Sequence, residues 1–573
     1  MKEKDWKYAK INTADVEKIT SREGYTPIQA KLIVARGLID SLERERFLKT
    51  SSSQFHDPYL MKDMANAVDL IIDCYKSGKK MLILGDYDVD GTTGISLLYT
   101  FFAENLEMDV SFYIPNRERE GYGLPFSGID HAVQIGASLL ITCDFGINAF
   151  EQITYAHDYG LDVIISDHHL PQESLPDAEA VLNPKRLDCP YPFKDLCGAG
   201  VAFKLVQAVA YRLDVPEEKT LQLLEFACLG TAADIVPIVG ENRIIMALGL
   251  DRLRETQRPG LLGLLDIAGI DISKSINVSQ LVFRIAPRIN ALGRMGEGYR
   301  AVELLTTKDR CEVAPMAQIV DIENQNRRVV EKAIVDEAIQ QIRFEYDLET
   351  ARGLVLWGDQ WHPGVIGIVA SKIKEEFYLP TIVISFQNGE GKGSGRSIEG
   401  LDLYQLLDLC SNHLTNHGGH KMAAGLSITK EQLPAFRDQI SALFHKMVSP
   451  EMLVPKLYLD LNISLDNISY DLLKFLDKMA PFGPGNMRPI FSSTDVKILY
   501  PKVVGSGKHL KFCASQNGYT FDAIAFNQSE NYQKFFNKEP VHIAYVIEIN
   551  EWNGRKNIQL NIHEIKTGES PNQ

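Results

Sequence analysis

Three aspartates alternate in the stretch LILGDYDVDGTTG, at Asp86, Asp88 and Asp90, directly after the apolar residues Met81, Leu82, Ile83 and Leu84. In extended backbone, alternate side chains point the same way, so the three carboxylates are expected to converge. Like charges held together repel unless a cation sits among them. The spacing predicts a divalent-metal site.

Two later segments repeat the pattern. Residues 139–142 read as a buried strand ending at Cys143-Asp144-Phe145-Gly146, and residues 163–165 as another ending at Ser166-Asp167-His168-His169. Neighbouring residues in extended chain face opposite sides, so only one of His168 and His169 is expected at a given ion, with the other near substrate or behind the ligands. Further on, GTAADIVP places Asp234 just past a buried helix, as another ligand or as a cap.

The pattern DxDxDG also opens a calcium-binding EF-hand loop, but that loop ends on a bidentate glutamate at its twelfth position. Here the twelfth residue is Leu97, and a strand precedes the loop where a helix would be required. Carboxylates and imidazole without thiolate suit Mn2+ or Mg2+. The ligands exceed what one ion needs, and two ions roughly 3.5 to 4 Å apart are the usual arrangement for hydrolysing phosphate esters. Phosphodiester or phosphoanhydride hydrolysis is the chemistry expected.

Positioning such residues calls for strands that alternate with helices and release their ligands at one edge, an α/β fold with a parallel sheet. Residues 57–77 read as a helix before the first strand, 92–105 as a buried helix after it, and 110–114 as a second strand. Ahead of these, 26–42 is the better of two weakly amphipathic stretches, without chemistry of its own. Three or four domains are expected for 573 residues, since single cores seldom exceed roughly 250 to 300 residues.

Composition narrows the classes. The apolar fraction of 45% and charged fraction of 24% are those of a water-soluble globular chain, and no segment resembles a membrane span or a secretion signal, so the cytoplasm is expected. The 8 cysteines form no CxxC pair and read as reduced thiols. A net charge of -15 means that any nucleic-acid binding must rest on local basic patches.

Beyond the metal region, IAPRINALGR at 285–294 reads as a loop that carries Arg288 and Arg294, either of which could grip phosphate or pair with an acidic neighbour. Residues 306–345 read as a long connecting helix, followed by strand, helix and strand at 353–357, 365–377 and 381–384. Two glycine-rich elements follow, Gly393-Ser394-Gly395-Arg396-Ser397 and Gly418-Gly419-His420. They are read as anion-binding backbone with Arg396 and serine hydroxyls as extra donors, or as plain turns. His362 could line the same cleft or simply pack.

After residue 452 short strands take over, at 457–463, 496–499, 509–514, 521–526, 542–549 and 558–565, with a helix at 468–479. This count fits an oligonucleotide-binding (OB-like) barrel with Lys502, Lys508, Lys511, Trp552, Arg555 and Lys556 as a basic and stacking surface.

The motifs DYDVDG, Asp144 and its neighbours, Asp167-His168-His169 and Asp234 resemble, in order, those of the DHH phosphoesterases. With GSGRS at 393–397, HGGHKMAAG at 417–425 and APFGPGNMRPIF at 480–491, the chain is similar to the RecJ branch of that family, exonucleases that degrade single-stranded DNA from 5′ to 3′. The resemblance implies that Asp88, Asp90, Asp144 (as bridge), His168 and Asp234 hold two Mn2+ or Mg2+ ions, with Asp86 and His169 close by. It also implies a 5′-phosphate contact from Arg288 or Arg294, and nucleotide and terminal-phosphate contacts from Ser394, Arg396, Ser397, Gly419 and His420. A single-stranded-DNA-binding protein and a helicase are the implied partners, and repair and recombination the implied setting.

The expected architecture is therefore an N-terminal helical extension (1–54), a parallel-sheet DHH domain (55–305), a connecting helix (306–345), a DHH-associated α/β domain (346–450) and an OB-like barrel (451–573). A groove along the crevice, too narrow for duplex, would select single strands. Rival readings are a phosphodiesterase for short oligonucleotides or cyclic dinucleotides, for which a barrel is superfluous, and a non-catalytic scaffold, which would be expected to lack acidic ligands.

Overall fold

The computed structural model describes residues 3–117, 119–121, 123–535, 540–552 and 554–568. The chain divides into two compact units: Lys10–Asn324 with Asn467–Pro489, and Gln325–Asp466 with Met1–Ala9 and Ile490–Gln573. Among the described residues, no helix is long and apolar enough to cross a membrane. All eight cysteines are free, and only Cys311 is exposed.

The first unit is built on a five-stranded parallel sheet. Its order is Val110–Tyr113, Lys80–Gly85, Ala137–Cys143, Asp162–Ser166, Ala180–Leu182. Met81 to Leu84 are fully buried on both faces, which is why they read as an unbroken apolar run. Each such side chain contributes roughly 1.5–3 kcal/mol by leaving water. The strand order reverses between Lys80–Gly85 and Ala137–Cys143, and a doubly wound sheet opens a crevice at that switch, beyond the carboxyl ends of the strands. Asp86 and Asp144 are the first residues past those two ends.

Several elements differ from the sequence expectation. The 26–42 stretch is broken into helices Pro27–Ala35 and Ser41–Leu48 at Gly37, which adopts a left-handed backbone. The 57–77 stretch forms a short turn, Pro58–Leu60, and then helix Met64–Lys76. Residues 285–294 are not a loop, because helix Ala286–Arg294 continues directly from the π-helical turn Leu281–Ile285.

The second unit holds a sheet in the order Asn416–His420, Ala423–Thr429, Glu390–Arg396, Thr381–Gln387, Leu354–Asp359. It also holds a barrel of Phe491–Val504, His509–Gln516, Tyr519–Ala525, Arg555–Lys566 and Val541–Trp552, closed by pairing of the first strand with the last. An unexpected strand, Asp5–Tyr8, pairs in parallel with Lys456–Leu459, and Trp6 Nε1 donates to Glu564 at 2.6 Å. The helix expected at the start of the barrel is Tyr470–Met479, and it belongs to the first unit. The long helix Arg310–Glu345 carries the chain from one unit to the other.

Candidate metal centre

Backbone pairing continues one residue past each strand and so fixes the acidic residues. Asp86 N–H donates to Cys143 O (3.2 Å), Asp144 N–H to Ser166 O (3.0 Å) and Asp167 N–H to Leu182 O (3.0 Å). Asp144 takes a left-handed backbone at φ 67, a conformation that costs a non-glycine residue of order 1–3 kcal/mol and persists only where the surroundings impose it.

The three alternating aspartates converge for a different reason from the one expected. The strand stops at Gly85, and Asp88 is the N-cap of helix Val89–Tyr99, its carboxylate accepting from Gly91 N–H at 3.1 Å. The helix start folds back over the strand end: a Cβ on Gly91 would stand 2.4 Å from Asp86 O. Asp90, in the first turn, accepts from Gly198 N–H (2.5 Å) and Ala199 N–H (2.9 Å), at the positive end of helix Gly198–Arg212.

Ligand atoms from these elements meet in three overlapping groups, each with all atoms within 4.8 Å of one another: Asp86, Asp88 and Asp144; Asp90, His168 and Asp234; Asp144, His168 and His169. Asp144 and His168 each belong to two groups. His168 Nε2 stands 3.1 Å from Asp144 Oδ1 and 3.8 Å from Asp90, and its Nδ1 stands 3.7 Å from Asp234. The two histidines do not splay apart. Their rings are 4.5 Å apart because the strand has already ended at Ser166, so the opposite-face argument fails.

Asp167 lies outside all three groups. Its carboxylate is spent on the backbone N–H of Ile147, His168 and His169 and on His169 Nδ1 at 2.8 Å. Although burial pushes the other way, the bond from His169 holds Asp167 below the usual carboxylate range. It orients the histidine pair, and only the other nitrogen of His169 could ligate.

The electrostatics call for cations. Burial, then Asp90 and Asp88, pushes Asp144 well above the usual carboxylate range, and burial, then Asp88, does the same to Asp86. Burial also raises Asp90, and burial with Asp90 and Asp88 raises Asp234 to about 8. Burial takes His168 down to about 4, leaving a neutral ring suited to ligation. Asp144 Oδ1 and both His168 nitrogens are buried and make no hydrogen bond. Orphaned polar atoms of this kind among crowded carboxylates fit a pair of hard divalent cations.

The sequence reading missed what packs beneath the ligands. A Cβ on Gly198 would stand 2.6 Å from Asp144 Cβ, and one on Gly230 2.6 Å from Asp90 Oδ1. Glycine opening an apolar helix in LCGAG was the available signal. Arg117 was also missed; its guanidinium lies 5.3 Å from the Tyr87 ring centroid.

The arginines part company. Arg288 is committed to structure, donating to Asp321 (3.0 Å), Arg284 O (2.7 Å) and Ile267 O (3.0 Å). Arg294 ends the same helix, its charge acting on Tyr87.

In the second unit, 393–396 lie in the strand Glu390–Arg396 rather than in an amide cradle. Gly393 and Gly395 are required by packing, since a Cβ would stand 2.7 Å from Leu426 and 2.6 Å from Leu403. Ser394 and Arg396 occupy the alternate face, where Arg396 donates to Ser394 Oγ (2.9 Å), Ser371 Oγ (3.2 Å) and Gly395 O (2.8 Å). No carboxylate pairs with Arg396 among the described residues, and burial lowers its pKa. Ser397 is buried and donates to Leu401 O at 2.9 Å. Gly419, at φ 132, and His420 lie on an exposed edge strand, and His362 Nδ1 accepts from Gly364 N–H at 3.0 Å.

Comparison with known proteins is consistent with these parts. The DHH family N-terminal domain matches residues 80–231, the DHHA1 domain 350–446 and the RecJ OB domain 459–564. A single-stranded-DNA-specific exonuclease RecJ from Bacillus subtilis (strain 168) is 37% identical over 568 residues, covering 98% of this chain and 71% of its own. The chain belongs to the RecJ family. The RecJ exonuclease of Salmonella typhimurium is 33% identical over 559 residues, with 94% and 96% covered. A crystal structure of RecJ in complex with Mn2+ from Thermus thermophilus superimposes with a TM-score of 0.84 at 27% identity, covering 99% of this chain and 80% of that one.

Proposed function

We propose that this protein is a divalent-metal-dependent exonuclease that hydrolyses single-stranded DNA from the 5′ end. The observation that carries the proposal is the meeting of Asp86, Asp88, Asp90, Asp144, His168 and Asp234 in overlapping ligand groups within a chain of the RecJ family.

Asp86, Asp88, Asp90, Asp144, His168 and Asp234 would hold two Mn2+ or Mg2+ ions, with Asp144 and His168 each common to two of the ligand groups. When bound, the ions lower the pKa of water and offset charge on the phosphoryl oxygens. The chain's own residues do the rest. The Gly198 and Ala199 amides hold Asp90, and Asp167 orients His169, which faces the substrate phosphate. The 5′-phosphate contact is assigned to the Ala286–Arg294 helix, through Arg288 or Arg294. Ser394 and Arg396 bind a nucleotide phosphate, supported by the lack of any carboxylate partner for Arg396 among the described residues.

The barrel binds the trailing strand. On it, Lys502 and Lys511 sit opposite each other across an antiparallel pair, an arrangement that costs stability unless an anion bridges them. Arg555 and Lys556 are exposed, and the Trp552 side chain lies outside the described part. We place the activity in the cytoplasm, in repair and recombination, with a single-stranded-DNA-binding protein and a helicase as partners.

The test is incubation with Mn2+ or Mg2+ and single strands labelled at either end, with and without a 5′ phosphate. Mononucleotide release from the 5′ end is expected. Release from the 3′ end, equal rates on blunt duplex, or no hydrolysis in either metal would overturn the reading.

A further inference from the structure

The motif APFGPGN, at 480–486, lies in sequence between the second sheet and the barrel, yet it packs within the first unit, against the segment that follows Asp234. That segment links helix Leu224–Ala233 to helix Gly240–Glu255. Ile238 N–H donates to Pro484 O at 2.6 Å. A Cβ on Gly483 would stand 2.7 Å from Ile238 Cγ1, and one on Gly485 3.1 Å from Pro237 Cβ. Both glycines are therefore demanded by contact with residues three or four positions beyond Asp234.

The turn is itself heavily anchored. Gly483 and Asn486 exchange backbone hydrogen bonds at 3.0 and 2.9 Å, and Asn486 Nδ2 donates to Met479 O and Pro481 O, both at 2.9 Å. Arg243, 3% exposed, donates to the carbonyls of Lys478, Met479, Ala480 and Pro481 and stacks on Phe47, 3.7 Å from the ring centroid. A buried guanidinium satisfied entirely by backbone carbonyls fixes chain geometry and recognises no charge.

The need for such an anchor lies in how Asp234 is held. Asp90 has two backbone amides on its carboxylate, whereas no hydrogen bond to the Asp234 carboxylate is found among the described residues. Asp234 ends its helix, and Ile235, 64% exposed, turns into the left-handed region at φ 61 without packing of its own. The position of this ligand thus depends on its backbone, and the backbone depends on what grips residues 237–239.

We propose that the Pro481–Asn486 turn, locked by Arg243, is a positioning element for Asp234 that keeps this carboxylate at the metal pair. The inference rests on the metal-site reading above. Because the coupling is reciprocal, a ligand that fixes Asp234 must also stabilise the turn.

Hydrogen exchange on the unmodified full-length chain tests this, with Mn2+ as the probe. Mn2+ is expected to slow exchange in peptides spanning both 234–243 and 478–488, and Asp234→Asn to abolish the effect at 478–488. In calorimetry, Gly483→Ala and, as a milder variant, Arg243→Lys are expected to weaken one of two Mn2+ sites about tenfold and spare the other. Protection confined to 234–243, or unchanged affinity at both sites in a folded variant, would overturn the proposal. If the unmodified protein binds no Mn2+, it is the metal-site reading that fails instead.

Discussion

The two units bury opposite kinds of surplus charge. At the sheet edge of the first, Asp86, Asp90 and Asp144 are buried together with the neutral imidazole of His168. Along the Glu390–Arg396 strand of the second, Arg396 is partly buried with hydroxyl and carbonyl partners and no carboxylate among the described residues. Folding alone rewards neither arrangement, since isolated buried charge is costly. The contrast is the one expected if the first unit takes up cations and the second an anion.

The largest expected effect breaks the first half of the comparison. Asp144→Asn should lower Mn2+-dependent hydrolysis by about 10^3-fold, corresponding to several kcal/mol of lost charge stabilisation, as measured by mononucleotide release. Near-normal rates would mean that the carboxylates are not ligands.

The second half is tested by Arg396→Gln. A charged hydrogen bond contributes about 1.5–3 kcal/mol, so discrimination in favour of the phosphate-bearing strand should fall about ten- to a hundredfold in competition binding. Thermal stability should change little, because the substitution removes a half-buried cation without a carboxylate partner together with its hydrogen bonds to Ser371, Ser394 and Gly395.

The pH dependence sharpens the contrast without mutation. Asp234 titrates near 8 in the metal-free fold, far above an unfolded aspartate, so the folded state keeps protons that the unfolded chain releases. That contribution to stability is complete in acid and fades as pH rises toward 8. His168, lowered to about 4 from 6.5, acts in the opposite sense below 6.5, whereas His169, raised against burial by its bond to Asp167, acts in the same sense as Asp234, so a net loss is expected between 6.5 and 8. In EDTA the melting temperature should fall across this window. With saturating Mn2+ the fall should vanish, because the metal takes the place of the protons and binds more tightly as they leave.

Smallest is the effect of Arg288→Ala. Its guanidinium is paired with Asp321 and two carbonyls, so the variant should lose about 1–3 kcal/mol of stability in urea titration, and a 5′-phosphate preference that persists would assign that contact to Arg294.

Much of the metal centre was legible because its information is local. Apolar runs of strand length ending in Asp144 or Asp167-His168-His169 announce a parallel sheet and its ligand-bearing edge. What misled was local too: Gly393 and Gly395 suggested anion-binding backbone or a plain turn, yet they are strand residues kept small by Leu426 and Leu403. Illegible altogether were contacts between distant positions, such as Gly198 against Asp144 or Pro484 against Ile238, because no periodicity encodes them. The role of Asp167 belongs with these, since only the fold shows its carboxylate turned toward His169.

The first unit is discontinuous, leaving off at Asn324 and resuming with Asn467–Pro489. A nascent chain on the ribosome therefore cannot complete its nuclease core when the last ligand, Asp234, emerges; it must wait for the far-downstream turn to be translated. Premature termination between Asp234 and Asn467 would leave a fragment with every candidate acidic ligand and an unfinished scaffold.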